Sequence, residues 1–194
     1  MAAAHAAHNH AVQFYSSDKT LFTTVTTFLA EGLAAGQPAM IIATPEHRTA
    51  IVEHLRSKSI DCDRAVRDGS LVLLDAQETL DLFMIGDEPH ATLFFDNVGR
   101  LIEQTLNSRK TVLRAYGEMV DVLWQSGRSE SAITLEMLWN RLAVKYRFSL
   151  LCGYSLGSFY KQPDRMLTVL AQHSHVVSDP SRVLNFPVRA QKIA

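Results

Sequence analysis

Four short runs of apolar residues punctuate the chain: AVQFY at 11–15, AMIIAT at 39–44, LVLLDA at 71–76 and SLLCGY at 149–154. Three of them are continuous rather than alternating, the pattern of strands buried on both faces of a sheet. TVLRAYGEM at 111–119 supplies a fifth, interrupted by Arg114. Between these runs the period lengthens. In DKTLFTTVTTFLAEGLAAG, the residues Leu21, Phe22, Val25, Phe28, Leu29 and Leu33 share one helical face, with Ser17 or Asp18 as N-cap and Gly36 just past the end. TPEHRTAIVEHLRSK opens with Thr44 as cap and Pro45 at the first helical position, then turns Ile51, Val52 and Leu55 inward. Further helices are expected over 77–85, 91–106, 117–126, 129–145 and 163–173.

Alternation of strand and helix predicts parallel strands joined by right-handed crossovers, with helices on both faces. The fold expected is therefore a single α/β domain, a three-layer α/β/α sandwich with a mainly parallel central sheet, over residues 10–177. Segments 1–9 and 178–194 are expected to be loosely held tails. A chain of 194 residues with 47% hydrophobic content is long enough for one full core.

Charge narrows the partners. The 19 basic and 20 acidic residues leave a formal charge of -1, so no basic excess draws the chain to nucleic acid or to an anionic membrane. No stretch of about 18 apolar residues is available to span a bilayer. The two cysteines, Cys62 and Cys152, lack metal-ligand spacing and favour a reducing compartment. MAAAHAAHNH has no basic n-region and does not read as a signal peptide. A soluble, cytoplasmic protein is expected.

In open parallel sheets ligands bind beyond the carboxyl ends of the strands. That rule gathers Tyr15, Ser16, Ser17 and Asp18 after the first strand, Thr44, Glu46 and His47 after the second, and Asp75 after the third. Tyr116, Glu118 and Met119 follow the fourth, with Tyr154 and Ser155 after the fifth. The junction HAVQFYSSDKTLF holds the place where a phosphate loop would lie. Phosphate loops need glycines whose backbone N–H groups face the phosphates and a lysine that neutralises them. This stretch has no glycine, and Asp18 would repel phosphate, so ATP binding in the usual mode is not expected. Ser17 or Asp18 then caps the helix or meets a smaller ligand.

Glu46 and His47 begin a helix at a strand end, where an acid gains from the helix dipole and a histidine titrates near neutrality; they read either as ligand contacts or as an exposed first turn. Arg114 needs a carboxylate partner if buried, Glu118 or Asp75, and either Arg114 or Glu118 is a candidate for recognising a polar ligand group. Tyr15, Tyr116, Tyr154, Met119 and Cys152 suit either the core or an apolar pocket with polar handles. His5, His8 and His10, with His173 and His175, hint at a metal, but no cysteine or carboxylate completes a set in the sequence, so no metal or other cofactor is expected. His10 is kept as a candidate because it opens the first strand.

Six blocks in order, HAVQFY, FLAEGLAAGQPAMIIATPEHR, DGSLVLLDAQETL, RAYGEMVDVLW, LEMLWNRL and FSLLCGY, resemble the sensory domain of the DcmR type, called MEDS after methanogen and methylotroph regulators. The resemblance covers roughly residues 10–177. It implies a divergent relative of RecA-like and KaiC-like ATPases without the phosphate loop, acting as a sensory module for small, hydrocarbon-derived ligands. Such modules occur alone or joined to DNA-binding or histidine-kinase segments. The resemblance assigns no catalytic residues. With no helix-turn-helix or kinase core in the sequence, the expected protein is non-catalytic, makes no direct nucleic-acid contact and signals through a partner such as a histidine kinase or transcription regulator, with room for a homodimer. A drifted nucleotide-binding domain and a ligand-free interaction regulator are the alternatives. Helices over 117–145, with Trp124, Met137, Leu138 and Trp139, are the expected partner-facing surface if these side chains are exposed.

Overall fold

The computed structural model describes residues 9–107, 111–159, 163–179 and 182–185. Its centre is a seven-stranded sheet. The strands are β1 (Asn9–Tyr15), β2 (Ala39–Ala43), β3 (Leu71–Asp75), β6 (Leu113–Gly117), β7 (Phe148–Ser155), β8 (His175–Asp179) and β9 (Arg182–Asn185), while β4 (Met84–Ile85) and β5 (Glu88–Pro89) form a separate small hairpin. Across the sheet the order is β3-β2-β6-β7-β1-β8-β9; every pairing is parallel except β8 with β9. The expected α/β architecture is what the chain adopts.

Two half-cores lie on the two faces, and strand alternation sorts residues between them. In β2, Ala39, Ile41 and Ala43 face one side and Met40 and Ile42 the other. The first side is covered by α1 (Asp18–Ala34), α2 (Pro45–Ser57) and the short α3 (Cys62–Arg67), through Leu21, Val25, Leu29, Ile51, Leu55 and Cys62. The second is covered by α4 (Ala76–Asp81), α5 (Ala91–Leu106), α6 (Met119–Gln125), α7 (Ser129–Lys145) and α8 (Pro163–Ala171).

Local chemistry sets the ends that matter for the site. Ser17 is the N-cap of α1 and accepts from the Thr20 N–H, and Gly36 turns the chain with φ of 72° after it. Pro45 occupies the first turn of α2, so that helix starts one residue past β2. Glu118 precedes α6 directly after β6. Three helices thus begin at the carboxyl ends of β1, β2 and β6 and face one hollow.

The sequence reading did not include α3 or the last two strands. α3 is a six-residue helix, too short for a periodic pattern to show. β8 and β9 carry the ordered chain past 177, with β8 pairing in parallel with β1. Segment 1–8 and the last nine residues lie outside the described residues.

Candidate functional site

A cleft of about 340 Å³ opens at the carboxyl ends of β1, β2 and β6, lined by Tyr15, Asp18, Thr44, His47, Glu118, Asp121, Val122, Gln125 and Ser155. Its floor is a network centred on two carboxylates. Glu118 is 2% exposed. It accepts from the Thr44 N–H, from the Tyr116 hydroxyl at 2.9 Å and from His47 Nδ1 at 2.8 Å. The other ring nitrogen of His47 lies 3.8 Å from Asp18. Asp121 accepts from the Tyr15 hydroxyl at 2.9 Å, from Gln125 Nε2 at 2.8 Å and from the Ser155 N–H at 3.2 Å.

These contacts set the protonation states. The hydrogen bond to Glu118 is the main cause that raises His47 above its ordinary value, against the opposing effect of burial. Burial raises the Asp121 carboxyl, although its three hydrogen bonds work in the other direction. Burial, with Asp121 next, holds the Tyr15 hydroxyl far above the usual phenol range, so it remains a donor. The cleft is therefore an acidic bowl, with Asp18, Glu118 and Asp121 around a single histidine. A second hollow of about 500 Å³ adjoins it through Gln125 and Ser155 and is lined otherwise by Trp124, Gly127, Ser129, Gly157 and Ser158. Among the described residues its lining includes no titratable side chain.

Of the residues chosen from sequence, Tyr15, Asp18, His47 and Glu118 meet in this cleft, and Tyr116 supports it from beneath. Ser17 stays on the surface as the cap of α1. Glu46 is exposed and does not line the hollow; positions three apart share a helix face, so the cleft receives Thr44 and His47. His10 lies at the opposite end of β1 from Tyr15, on the order of 17 Å away at about 3.3 Å per residue. Tyr154 lies one residue before the end of β7, and its side chain falls on the other face, buried among Phe14, Trp124 and Phe159 with its hydroxyl on Glu136 at 2.9 Å. Met119 and Cys152 are likewise core, so the pocket is polar rather than apolar.

Arg114 makes no ion pair with Glu118 or Asp75. It enters at the amino end of β6, where its guanidinium lies 5.0 Å from the Phe28 ring centre and donates to Gln37 Oε1 at 2.8 Å. Glu118 stands beyond the other end of the same strand. Asp75 caps α4 and lies 3.7 Å from Arg48. The expected partner surface is also largely closed, because Trp124, Leu138 and Trp139 are buried; Met137 alone of the four is exposed, at 52%.

Two residues that sequence reasoning passed over carry much of the chemistry. Asp121 and Glu136 are both buried acids inside apolar helical faces, MVDVLW and LEMLWNRL, and a charge at a core position is the signal that marks them. Glu136 heads a second, fully buried polar cluster on the far side of the sheet. His10 Nε2 lies 3.2 Å from Glu136 Oε2 and 3.4 Å from Cys152 Sγ; Cys152 Sγ lies 3.5 Å from Glu136 Oε2, and His173 Nε2 3.4 Å from Glu136 Oε1. The four ligand-type atoms all fall within 4.8 Å of one another. The cysteine and carboxylate absent from the sequence spacing are supplied by the fold. Burial raises the Glu136 carboxyl, but His173 and His10 together outweigh it and hold it well below the usual carboxylate range.

The comparisons with known proteins agree with this architecture. A search of curated protein sequences gives no match. Among solved structures, the uncharacterized protein PH0321 from Pyrococcus horikoshii, in complex with an unknown peptide, superposes with a TM-score of 0.64 over 87% of this chain and 76% of its own, at 13% identity. At that identity the likeness carries the fold alone. The family profile described as MEthanogen/methylotroph, DcmR Sensory domain matches residues 9–174. That span takes in both the acidic cleft and the buried cluster, and the chain belongs to the MEDS family of sensory domains.

Proposed function

We propose that this chain is a non-catalytic sensory domain whose acidic strand-end cleft binds a small, hydrogen-bond-donating or cationic ligand, such as a short amine or alcohol. One observation carries the reading: three carboxylates, His47 and the Tyr15 hydroxyl converge on a hollow at the position where an ATPase would hold phosphate. A carboxylate-lined site recognises N–H and O–H donors and repels phosphate. The volume suits a molecule of a few heavy atoms together with water.

Signalling follows from what the cleft touches. Glu118 and Asp121 stand at the start of α6, and Gln125 at its end; α6 packs on α7. A ligand that binds one placement of α6 better than another shifts the population between them. The outer face of α7, with Met137 and Val144 exposed, then presents the change to a signalling protein such as a histidine kinase, to a transcription regulator or to a second copy of the chain. No helix among the described residues is long and apolar enough to cross a membrane, and a cytoplasmic place suits such signalling.

The test is a thermal-shift and calorimetry panel of short amines, diols, carboxylates and Mg-ATP against the full chain and Asp121→Asn. The reading expects an amine or diol to bind the wild type and to weaken at least tenfold in the variant. Binding of Mg-ATP alone, unaffected by Asp121→Asn, would return the chain to the nucleotide-binding class. No binding by any member would favour the ligand-free regulator.

A further inference from the structure

The buried cluster behind β1 turns two imidazole nitrogens, a thiol and a carboxylate toward one another. The Asn140 amide donates to the Gln172 carbonyl at 2.9 Å, which fixes its orientation and turns its Oδ1 toward His10 Nδ1, 2.9 Å away. His10 therefore carries a proton on Nδ1. His173 Nδ1 lies 2.7 Å from the Val169 carbonyl, an acceptor only, so it too is the protonated nitrogen. In their neutral forms both rings present the Nε2 lone pair inward, toward the Glu136 carboxylate and the Cys152 sulfur. His173 Nε2 is buried and, on a neutral ring, faces the Glu136 Oε1 lone pairs at 3.4 Å.

Hydrogen bonds alone hold this arrangement at a cost. The Cys152 thiol can donate to His10 Nε2 at 3.4 Å, but His173 Nε2 then needs a proton to bond Glu136 Oε1, with its ring centre 4.2 Å from that of His10. That buries an imidazolium–carboxylate pair where all four residues are no more than 3% exposed. Glu136 already accepts from the Tyr154 hydroxyl on one oxygen and faces the Cys152 thiol with the other.

We propose that His10 Nε2, His173 Nε2, Cys152 Sγ and a Glu136 oxygen form a closed four-ligand site for a zinc-class divalent transition metal. Zinc–nitrogen and zinc–oxygen bonds of about 2.0–2.2 Å and a zinc–sulfur bond of about 2.3 Å imply tetrahedral edges of roughly 3.3–3.8 Å. With Oε2 as the Glu136 ligand, three of the edges measure 3.2, 3.4 and 3.5 Å; His173 Nε2 lies 3.4 Å from Oε1, and the four ligand atoms all fall within 4.8 Å of one another. Charge closes as well: a thiolate and a carboxylate neutralise the dication, and both histidines bind as neutral rings. On binding, the Cys152 S–H bond breaks, its proton leaves to solvent and a metal–sulfur bond forms. Outer contacts are in place for each ligand, with Asn140 and the Val169 carbonyl orienting the rings and Tyr154 holding the carboxylate. The mixed nitrogen, sulfur and oxygen set favours zinc over magnesium or calcium. With four protein ligands the site has no open position for hydrolysis. It would clasp β1, β7 and α7 to the turn between α8 and β8, independently of what occupies the strand-end cleft.

The experiment uses the full chain, produced in cells supplemented with zinc or cobalt and desalted. About one metal per chain is expected, and the cobalt form should show a thiolate-to-cobalt charge-transfer band with the intense visible absorption of four-coordinate cobalt. Cys152→Ser should remove the charge-transfer band, while Cys62→Ser and the paired His5→Ala, His8→Ala variant should keep it. Asn140→Ala should lower affinity about 10–100-fold by freeing the His10 ring. X-ray absorption on the wild-type zinc protein needs no variant to fold and should give one sulfur at about 2.3 Å with nitrogen and oxygen nearer 2.0 Å. A metal-free wild type, a shell without sulfur, or a band that survives Cys152→Ser but disappears with His5 and His8 would each overturn the site.

Discussion

Replacing Glu118 with alanine removes the acceptor that three donors share. The Tyr116 hydroxyl is fully buried, whereas the Thr44 N–H and His47 line the cleft and regain water. An unsatisfied buried donor costs about 1–3 kcal/mol, and a hydrogen bond to a charged group contributes about 1.5–3 kcal/mol. With Tyr116 stranded and the other two partners resolvated, the loss comes to about 3 kcal/mol, a large part of the 5–15 kcal/mol typical of a domain. pH adds a signature that packing loss would not. Glu118 raises His47, so its folded value lies above the unfolded value of about 6.5. The pair's contribution is therefore fully present below about pH 6.5 and is lost as pH rises through the elevated folded value. Urea denaturation of wild type and Glu118→Ala at about pH 5.5 and about pH 8.5 reads both effects. The stability gap should be near 3 kcal/mol at the lower pH and narrower at the higher. A gap under about 0.5 kcal/mol, or one that widens with pH, would refute the network as described.

Three further predictions follow from the same geometry. A double-mutant cycle of Arg114→Met and Glu118→Ala should be additive within about 0.5 kcal/mol, since the two side chains share no partner; coupling above about 1.5 kcal/mol would restore the ion pair that the sequence suggested. Gly153→Ala places a Cβ 2.9 Å from the Tyr116 hydroxyl and 3.3 Å from Leu21, and the overpacking should cost about 1–3 kcal/mol in denaturant melts. Ser17→Ala removes the α1 cap and should cost about 1 kcal/mol without touching ligand affinity; a change in affinity would make Ser17 a contact rather than a cap.

Much of this fold was legible because burial leaves a local mark. Continuous apolar runs identified the parallel strands, and Pro45 and Gly36 fixed helix ends through backbone geometry that depends on single residues. Strand direction then placed Tyr15, Asp18, His47 and Glu118 at one edge. What the pattern lacked was side-chain facing and partner identity. Tyr15 ends β1 while Tyr154 lies one residue short of the end of β7, level with Phe14, so alternation puts the two tyrosines on opposite sides of the sheet. Arg114 and Glu118 are near in sequence but separated by the length of β6, so a charge pairing argued from proximity failed. The buried cluster was hidden for the opposite reason: His10, Glu136, Cys152 and His173 have no spacing motif and meet only when β1, β7, α7 and the turn between α8 and β8 pack. The visible trace was a glutamate among leucines on a helix face.

The proposal that the cleft binds a donor ligand is most directly tested by two-dimensional amide NMR of the full chain titrated in parallel with a short primary amine and with Mg-ATP. The account predicts saturable shifts for the amine centred on Tyr15, Asp18, Thr44 and the segment from Glu118 to Gln125, with no saturable shifts there for Mg-ATP. Saturable Mg-ATP shifts at the β1–α1 junction, with the amine acting elsewhere or not at all, would contradict it.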